Sequence, residues 1–351
     1  MKNLKRVLGS IAFLFVAGSA SAAEQIVVNS FGGEFQAAQK KAFFEPFQKA
    51  TSIVVKEDSG ASVGTIKATV LAGDPRWDLI MIASGDYPTL VKEGLIETID
   101  YDKMDPGVVA ELLPDARKPS AVVGHFYACG IAYRTDLKTK GHPTSWAEFW
   151  DTKRFPGPRA LPKADYWVPA WEAALLADGV KREELYPLDF KRALKSLDKI
   201  KDSVQVWYSD TAAGVQALVS GEADYAFLCH NRVVAARNQG APVDVEHNEA
   251  ILLSDMWVVP KGAKNKDNIW KFLSFYMTGA PQIELMKMQP VAPSNGKAYA
   301  MIAPDIAKDL ATSPQNVVKM VPSNAEFWGT EAPGGSQRDY SIKLFEDWFG
   351  R

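Results

Sequence analysis

The chain has 351 residues, 47% of them hydrophobic, with 40 basic against 42 acidic side chains. That length exceeds what one core usually takes and the apolar content is ample for two, so two domains are expected. The near-neutral, slightly acidic balance makes nucleic acid a poor partner.

Residues 1–22 read as an export signal. Lys2, Lys5 and Arg6 form a basic start, Ile11 to Val16 an apolar centre, and Ala20-Ser21-Ala22 a small-residue cleavage site, so the mature chain is expected to begin near Ala23. The apolar run is too short to span a bilayer comfortably, and no cysteine follows the cleavage site to carry a lipid. A periplasmic protein is expected. The leader removes three bases and no acid, leaving 37 basic against 42 acidic residues.

Ile26 to Asn29 is a short β-branched strand that stops at Ser30-Phe31-Gly32-Gly33, and Glu34 to Ala50 follows as a helix. Ile53 to Val55 is a second strand, Ser62 to Ala72 a helix, and Asp78 to Ile82 a third strand ending at Ala83 to Asp86. This alternation predicts an α/β domain with a mainly parallel sheet. Pro106, Pro114 and Pro119 interrupt it, and Phe126 to Tyr133 then reads as a strand crossing into a second domain. There the grammar repeats, with helices at Trp167 to Ala177, Phe190 to Lys201 and Thr211 to Ser220, and strands at Val204 to Trp207 and Tyr225 to Leu228. Ile251 to Leu253 and Met256 to Pro260 read as the return crossing, followed by helices at Asn268 to Tyr276 and Pro281 to Met288 and a final helix from Arg338 to Phe349.

Ligands of open α/β sheets sit beyond the carboxyl ends of the strands. The loops to watch are therefore Ser30 to Glu34, Ala83 to Tyr87, Lys163 to Trp167, Trp207 to Thr211, Cys229 to Arg232 and Leu253 to Trp257. No Gly-x-Ser-x-Gly elbow, His-Glu-x-x-His pair, P-loop or dinucleotide fingerprint is present, so binding without catalysis is expected, and no cofactor is implied. The four histidines are scattered and read as structural. Cys129 and Cys229 are allowed to pair in an oxidising compartment, but both lie in apolar stretches, and the reading leans to buried free thiols.

Several stretches, in order along nearly the whole mature chain, resemble the spermidine/putrescine-binding proteins of ABC importers. They are Ser220-Gly-Glu-Ala-Asp-Tyr-Ala-Phe-Leu-Cys-His-Asn231, Ala235 to Gly240, Leu253-Ser-Asp255, Val259 to Lys266, Asp78-Leu-Ile80, Glu93-Gly-Leu-Ile96, Thr144 to Trp150 and Val291 to Asn295. The resemblance implies a two-lobed α/β periplasmic binding protein of type II, with two crossing hinge strands and an interdomain cleft. It implies lobe 1 over 23–126 plus 256–294 and lobe 2 over 127–255 plus 295–351. It also implies a monomer that delivers a small amine to an inner-membrane ABC permease. In such proteins aromatic faces hold the methylene chain and carboxylates hold the ammonium ends.

Carried over by position, Asp255 stands where the family keeps an amine-binding aspartate, and the Ser84, Asp86 and Tyr87 loop matches a ligand loop. Three tryptophans of the polyamine pattern are replaced by Ser30, Cys229 and Leu253, and the expected acid-rich loop keeps only Asp165, beside Tyr166 and Trp167. Tyr208 joins the candidates from the loop after its strand. Arg232 pulls the other way, because an arginine after the Cys229 strand end suits a carboxylate or phosphonate, and with Asp255 opposite it suits a zwitterion. The main expectation is thus a putrescine- or spermidine-like amine. The alternatives are a zwitterion (4-aminobutyrate, an opine or an aminophosphonate) and, behind it, ferric ion held by Tyr87, Tyr166, Tyr208 and His230, or a periplasmic hydrolase.

Overall fold

The computed structural model describes residues 24–138, 141–163 and 170–350, so the expected leader and the Asp165, Tyr166 and Trp167 candidates lie outside the described residues. Three short runs rich in β-branched and aliphatic residues open the chain as strands: Gln25–Ser30 (β1), Val54–Ser59 (β2) and Leu79–Ala83 (β3). β1 pairs in parallel with both β2 and β3, and parallel neighbours need crossover connections. The first crossover is a helix, Gly33–Gln39 (α1), that continues through a π-turn at Lys40–Phe44 into Glu45–Thr51. Its buried Phe43, Phe44 and Phe47 clamp it to the sheet and to the Lys266–Tyr276 helix, where Phe43 stacks on Tyr276 at 3.7 Å. The second crossover is Val63–Leu71 (α2), started by a capping box in which Ser62 Oγ accepts from the Thr65 N–H and Thr65 Oγ1 accepts from the Ser62 N–H.

Five further strands, Ala121–Arg134 (β4), Arg159–Pro162 (β5), Val204–Tyr208 (β6), Tyr225–Cys229 (β7) and Ile251–Val258 (β8), complete the main path of the sheet, to which four short strands add at its sides. The order along that path is β2-β1-β3-β8-β4-β7-β5-β6, one curled sheet with a parallel trio at each end. The two central strands are antiparallel to each other, and each is antiparallel to the trio it borders. β4 pairs with β8 over Val122 to Cys129 and with β7 over Cys129 to Tyr133, while β8 pairs with β3. β4 is therefore the longest strand, and it begins at Ala121, five residues before the stretch expected from sequence. Pro119 and Gly124 mask that start, because both are weak strand formers.

The second trio is covered by the helices Trp171–Ala177, Phe190–Asp198, Thr211–Ser220 (α3) and His230–Asn238 (α4). The C-terminal helix Gln337–Phe349 (α5) lies on the same half: Phe345, Trp348 and Phe349 surround the Trp207 ring at 5.4–5.8 Å, and Trp348 donates to Asp198. Just before it, the short helix Ala325–Gly329 reaches back to the first half, where Gly329 sits so close to Pro88 that a Cβ would overlap the ring. Cys129 and Cys229 face each other across β4 and β7 and are joined as a disulfide, which corrects the reading of two free thiols. Sequence could not show this, since 100 residues separate the two. Among the described residues no helix is long and apolar enough to cross a membrane.

Candidate functional site

A cavity of about 470 Å³ opens where the two halves of the sheet meet, a size usual for small-molecule sites. Its floor comes from the central strands. Asp255 of β8 lies directly opposite His125 of β4, and the register shifts immediately afterwards, so that Met256 faces Val123 and Gly124 is the extra residue of a bulge. Glycine leaves room there: a Cβ would lie 2.9 Å from Met81 Cε and 3.3 Å from Trp257 Nε1, so both side chains would have to shift. The bulge sets His125 and Tyr127 on the cavity side. The carboxylate of Asp255, a buried residue, receives His125 Nε2 at 2.9 Å and the Tyr127 hydroxyl at 3.4 Å. Its carboxylate is thus oriented from below and turned to the cavity above, which is what an ammonium receptor needs.

Four rings lead from the floor to the mouth. Tyr127 lies 6.0 Å from His125, His125 5.2 Å from Phe35, and Phe35 6.0 Å from Phe31. Phe31 is 49% exposed, presented at the mouth by Gly32 and Gly33, both at positive φ where a side chain would be strained. Ala61, Ser62, Val63 and Ile66 at the start of α2 complete this apolar wall. Such a wall suits methylene groups and the faces suit a cation.

The opposite wall is basic and is carried by helix starts. Cys229 caps α4, so the disulfide ties that helix start to β4, and Asn231 and Arg232 of the first turn line the cavity. Asn231 Oδ1 is buried without a hydrogen-bond partner, and Arg232, half-buried, has no ion pair, both statements holding among the described residues. Arg338, in the first turn of α5, reaches across the cleft to the Asp86 carboxylate. Burial pushes the Asp86 carboxyl up, Arg338 opposes this, and the charge of Asp255 adds to it. Asp210 also lines the cavity, but its carboxylate accepts the Ala213 N–H as the cap of α3.

Of the residues expected from sequence, Asp255, Asp86, Cys229 and Arg232 line this cavity. Ser30, Ser84, Tyr87 and Tyr208 do not. Ser30 is buried behind the wall, donating to Gln39 Oε1. Ser84 is buried in the turn before Asp86, and the Tyr87 hydroxyl accepts the Ser120 N–H. Tyr208 ends β6 inside the second core, its hydroxyl donating to the Phe227 carbonyl. With Tyr87 and Tyr208 turned away, the tyrosine set suggested for ferric ion does not converge, and among the described residues no three His, Cys, Asp or Glu side chains cluster as a metal site. Sequence reasoning missed Phe35, His125, Tyr127 and Arg338. The spacing 125, 127, 129 was the available signal for two of them, because alternate residues of a strand share a face. Nothing local marks Arg338, whose partner is 252 positions away.

The chain is similar along most of its length to known binding proteins. It is 30% identical to the gamma-aminobutyric acid-binding protein of Pseudomonas aeruginosa, over 92% of this chain and 91% of that one. It is 24% identical to the spermidine/putrescine-binding periplasmic protein of Escherichia coli, over 77% and 78%. Its fold matches a solved structure described as the Atu4243-GABA receptor with a TM-score of 0.81 and 32% identity, covering 93% of this chain and 97% of that one. The likeness accounts for the curled α/β sheet as a two-lobed binding-protein fold. A family described as bacterial extracellular solute-binding protein matches residues 42–314, and the chain belongs to that family.

Proposed function

We propose that this protein is the periplasmic substrate-binding component of an ABC importer and that its solute is a small zwitterion of the 4-aminobutyrate type, with an ammonium and a carboxylate at the two ends of a short methylene chain. The observation that carries this reading is the charge arrangement of the cleft: the Asp255 carboxylate on the floor, and Arg232 without an ion pair among the described residues on the facing wall. A diamine satisfies the first and leaves the second as an unpaired cation in a closing site, which is costly. A zwitterion satisfies both. Similarity to proteins named for gamma-aminobutyric acid supports the same choice, and the polyamine label of the more distant relative weighs less.

Each half of the sheet acts as a lobe, with boundaries in the crossing strands near Phe126 and Asp255, and the protein works as a monomer whose closed form is read by the permease. Closure brings Phe31 and the α4 start together over the solute, and exclusion of water strengthens both ion contacts. No bond is made or broken. The test is titration calorimetry and thermal unfolding of the mature chain with 4-aminobutyrate, putrescine and spermidine. A ligand that binds only the folded form raises the melting temperature. A rise with 4-aminobutyrate is expected, and a rise with the polyamines alone overturns the reading.

A further inference from the structure

Asp86 and Asp255 are two carboxylates on one cavity. Asp255 pairs across from Ala83, and Asp86 follows Ala83 by three residues in the turn that ends β3, so an acid within β8 and an acid just past the end of the neighbouring β3 line the same space. Left to themselves, two carboxylates flanked by the Phe31 and Phe35 rings form a receptor for a dication: one ammonium per acid and a methylene chain on the aromatic wall. One of the two is already taken. Arg338, from the other half of the molecule, holds Asp86.

Resting on the zwitterion reading above, we infer that Arg338 is a specificity-determining residue that restricts the cleft to a single ammonium, its guanidinium occupying on Asp86 the place that the second ammonium of an α,ω-diamine takes. The competition is unequal. Arg338 is attached to the chain, stays charged at every physiological pH, and reaches Asp86 without the translational cost that a free amine bears. A diamine therefore has to displace it and then face the freed guanidinium, as well as Arg232, inside a closing cleft. A zwitterion leaves the Asp86–Arg338 pair alone, and its carboxylate gains from the positive wall.

The two ligands to compare are 4-aminobutyrate and putrescine, four-carbon chains that differ in one end group. Binding is measured by calorimetry on the mature chain as wild type, Arg338→Gln, Arg338→Lys and the double variant Arg338→Gln/Asp86→Asn, each checked for an unchanged thermal unfolding profile without ligand. Arg338→Gln is expected to raise putrescine affinity about tenfold or more, the scale of one charge-assisted contact. Arg338→Lys keeps the exclusion because it keeps a tethered cation on Asp86. The double variant loses the gain because the vacated acid is gone. If Arg338→Gln binds 4-aminobutyrate and shows no gain for putrescine, or gains it equally without Asp86, the inference is overturned while the zwitterion reading stands. If the wild type binds putrescine and not 4-aminobutyrate, the zwitterion reading falls, and equal putrescine affinity in wild type and Arg338→Gln then overturns the inference as well.

Discussion

The two halves of the molecule hold three buried titratable groups differently, Asp78 in the first and His230 and Glu172 in the second. In the first half, the buried Asp78 accepts the Val27 N–H at 2.8 Å and the Asn265 side-chain amide at 3.1 Å, so its oxygens are paired by neighbouring backbone and amide groups. In the second half, fully buried His230 has no hydrogen-bond partner on either ring nitrogen among the described residues, and fully buried Glu172 is held by the Tyr186 hydroxyl at 2.7 Å. The cleft repeats the contrast. Its acidic floor is set by strand register, whereas its basic wall hangs on the first turns of α4 and α5. On the proposed reading, one half offers an ammonium site fixed by strand register and the other brings the Arg232 and Arg338 guanidinium groups to it, a division suited to a cleft that closes by moving one half over the other.

The sharpest way to break that comparison is to remove the floor charge. Asp255→Asn is expected to weaken 4-aminobutyrate binding about thirtyfold or more, from the roughly 2–5 kcal/mol lost when one partner of a desolvated charge pair is removed. Calorimetry checks it, and unchanged affinity removes Asp255 from the site. Next comes the tie between β4 and α4. Replacing Cys129 and Cys229 with alanine is expected to cost about 2–4 kcal/mol of stability, read as a lower denaturation midpoint, since the bridge closes a loop of 100 residues. On the basic wall, Arg232→Gln is expected to cost about tenfold to a hundredfold in 4-aminobutyrate affinity and to leave putrescine affinity unchanged or higher.

The smallest effects concern pH and separate the second half from the first. Burial, with the charge of His247 adding to it, holds the His230 imidazole well below its ordinary value of 6.5. The unfolded chain then binds the proton more readily, so this group's contribution is complete above about pH 6.5 and is lost as pH falls. Burial pushes the Glu172 carboxyl from 4.5 up to about 7, opposed by the Tyr186 hydrogen bond, so its contribution is complete below pH 4.5 and is lost as pH rises through about 7. The two slopes oppose each other. His230→Leu is expected to flatten the loss of stability between pH 7 and 5, and Glu172→Gln to gain on the wild type between pH 5 and 8. Denaturant midpoints across that range check both signs.

Much of this architecture was legible from pattern. The first parallel trio followed from short apolar strands alternating with helices, whereas the second was read with two of its three strands, Arg159–Pro162 being missed; Asp255, Asp86 and Arg232 all fell in segments that the rule for open sheets marks out, although Asp255 proves to lie within β8 and Arg232 in the first turn of α4. His125 was missed because Pro119 and Gly124 hide the true start of β4, so that a cleft histidine read as a scattered one, and Tyr127, although inside the expected strand, was missed because nothing local marks which face of that strand meets the cavity. Tyr208 was misplaced because a strand's last residue points inward or outward according to register, and a shift of one position exchanges the faces. Ser30 followed the same logic: its position matched a ligand residue of the resembling family, but the side chain turns back to Gln39.

Sequence by itself determined the local terms: strand and helix alternation, the caps of α2 and α5, the charge balance, and the loops from which a site had to be drawn, because these depend on residues a few positions apart. Tertiary structure alone decided which distant groups meet. The Cys129–Cys229 bridge, the His125–Asp255 pair and the Arg338–Asp86 contact join residues 100, 130 and 252 positions apart. Their chemistry is one of angstroms rather than of spacing, since an acid in a cleft is a receptor, a cap or half of an ion pair according to what the fold sets against it.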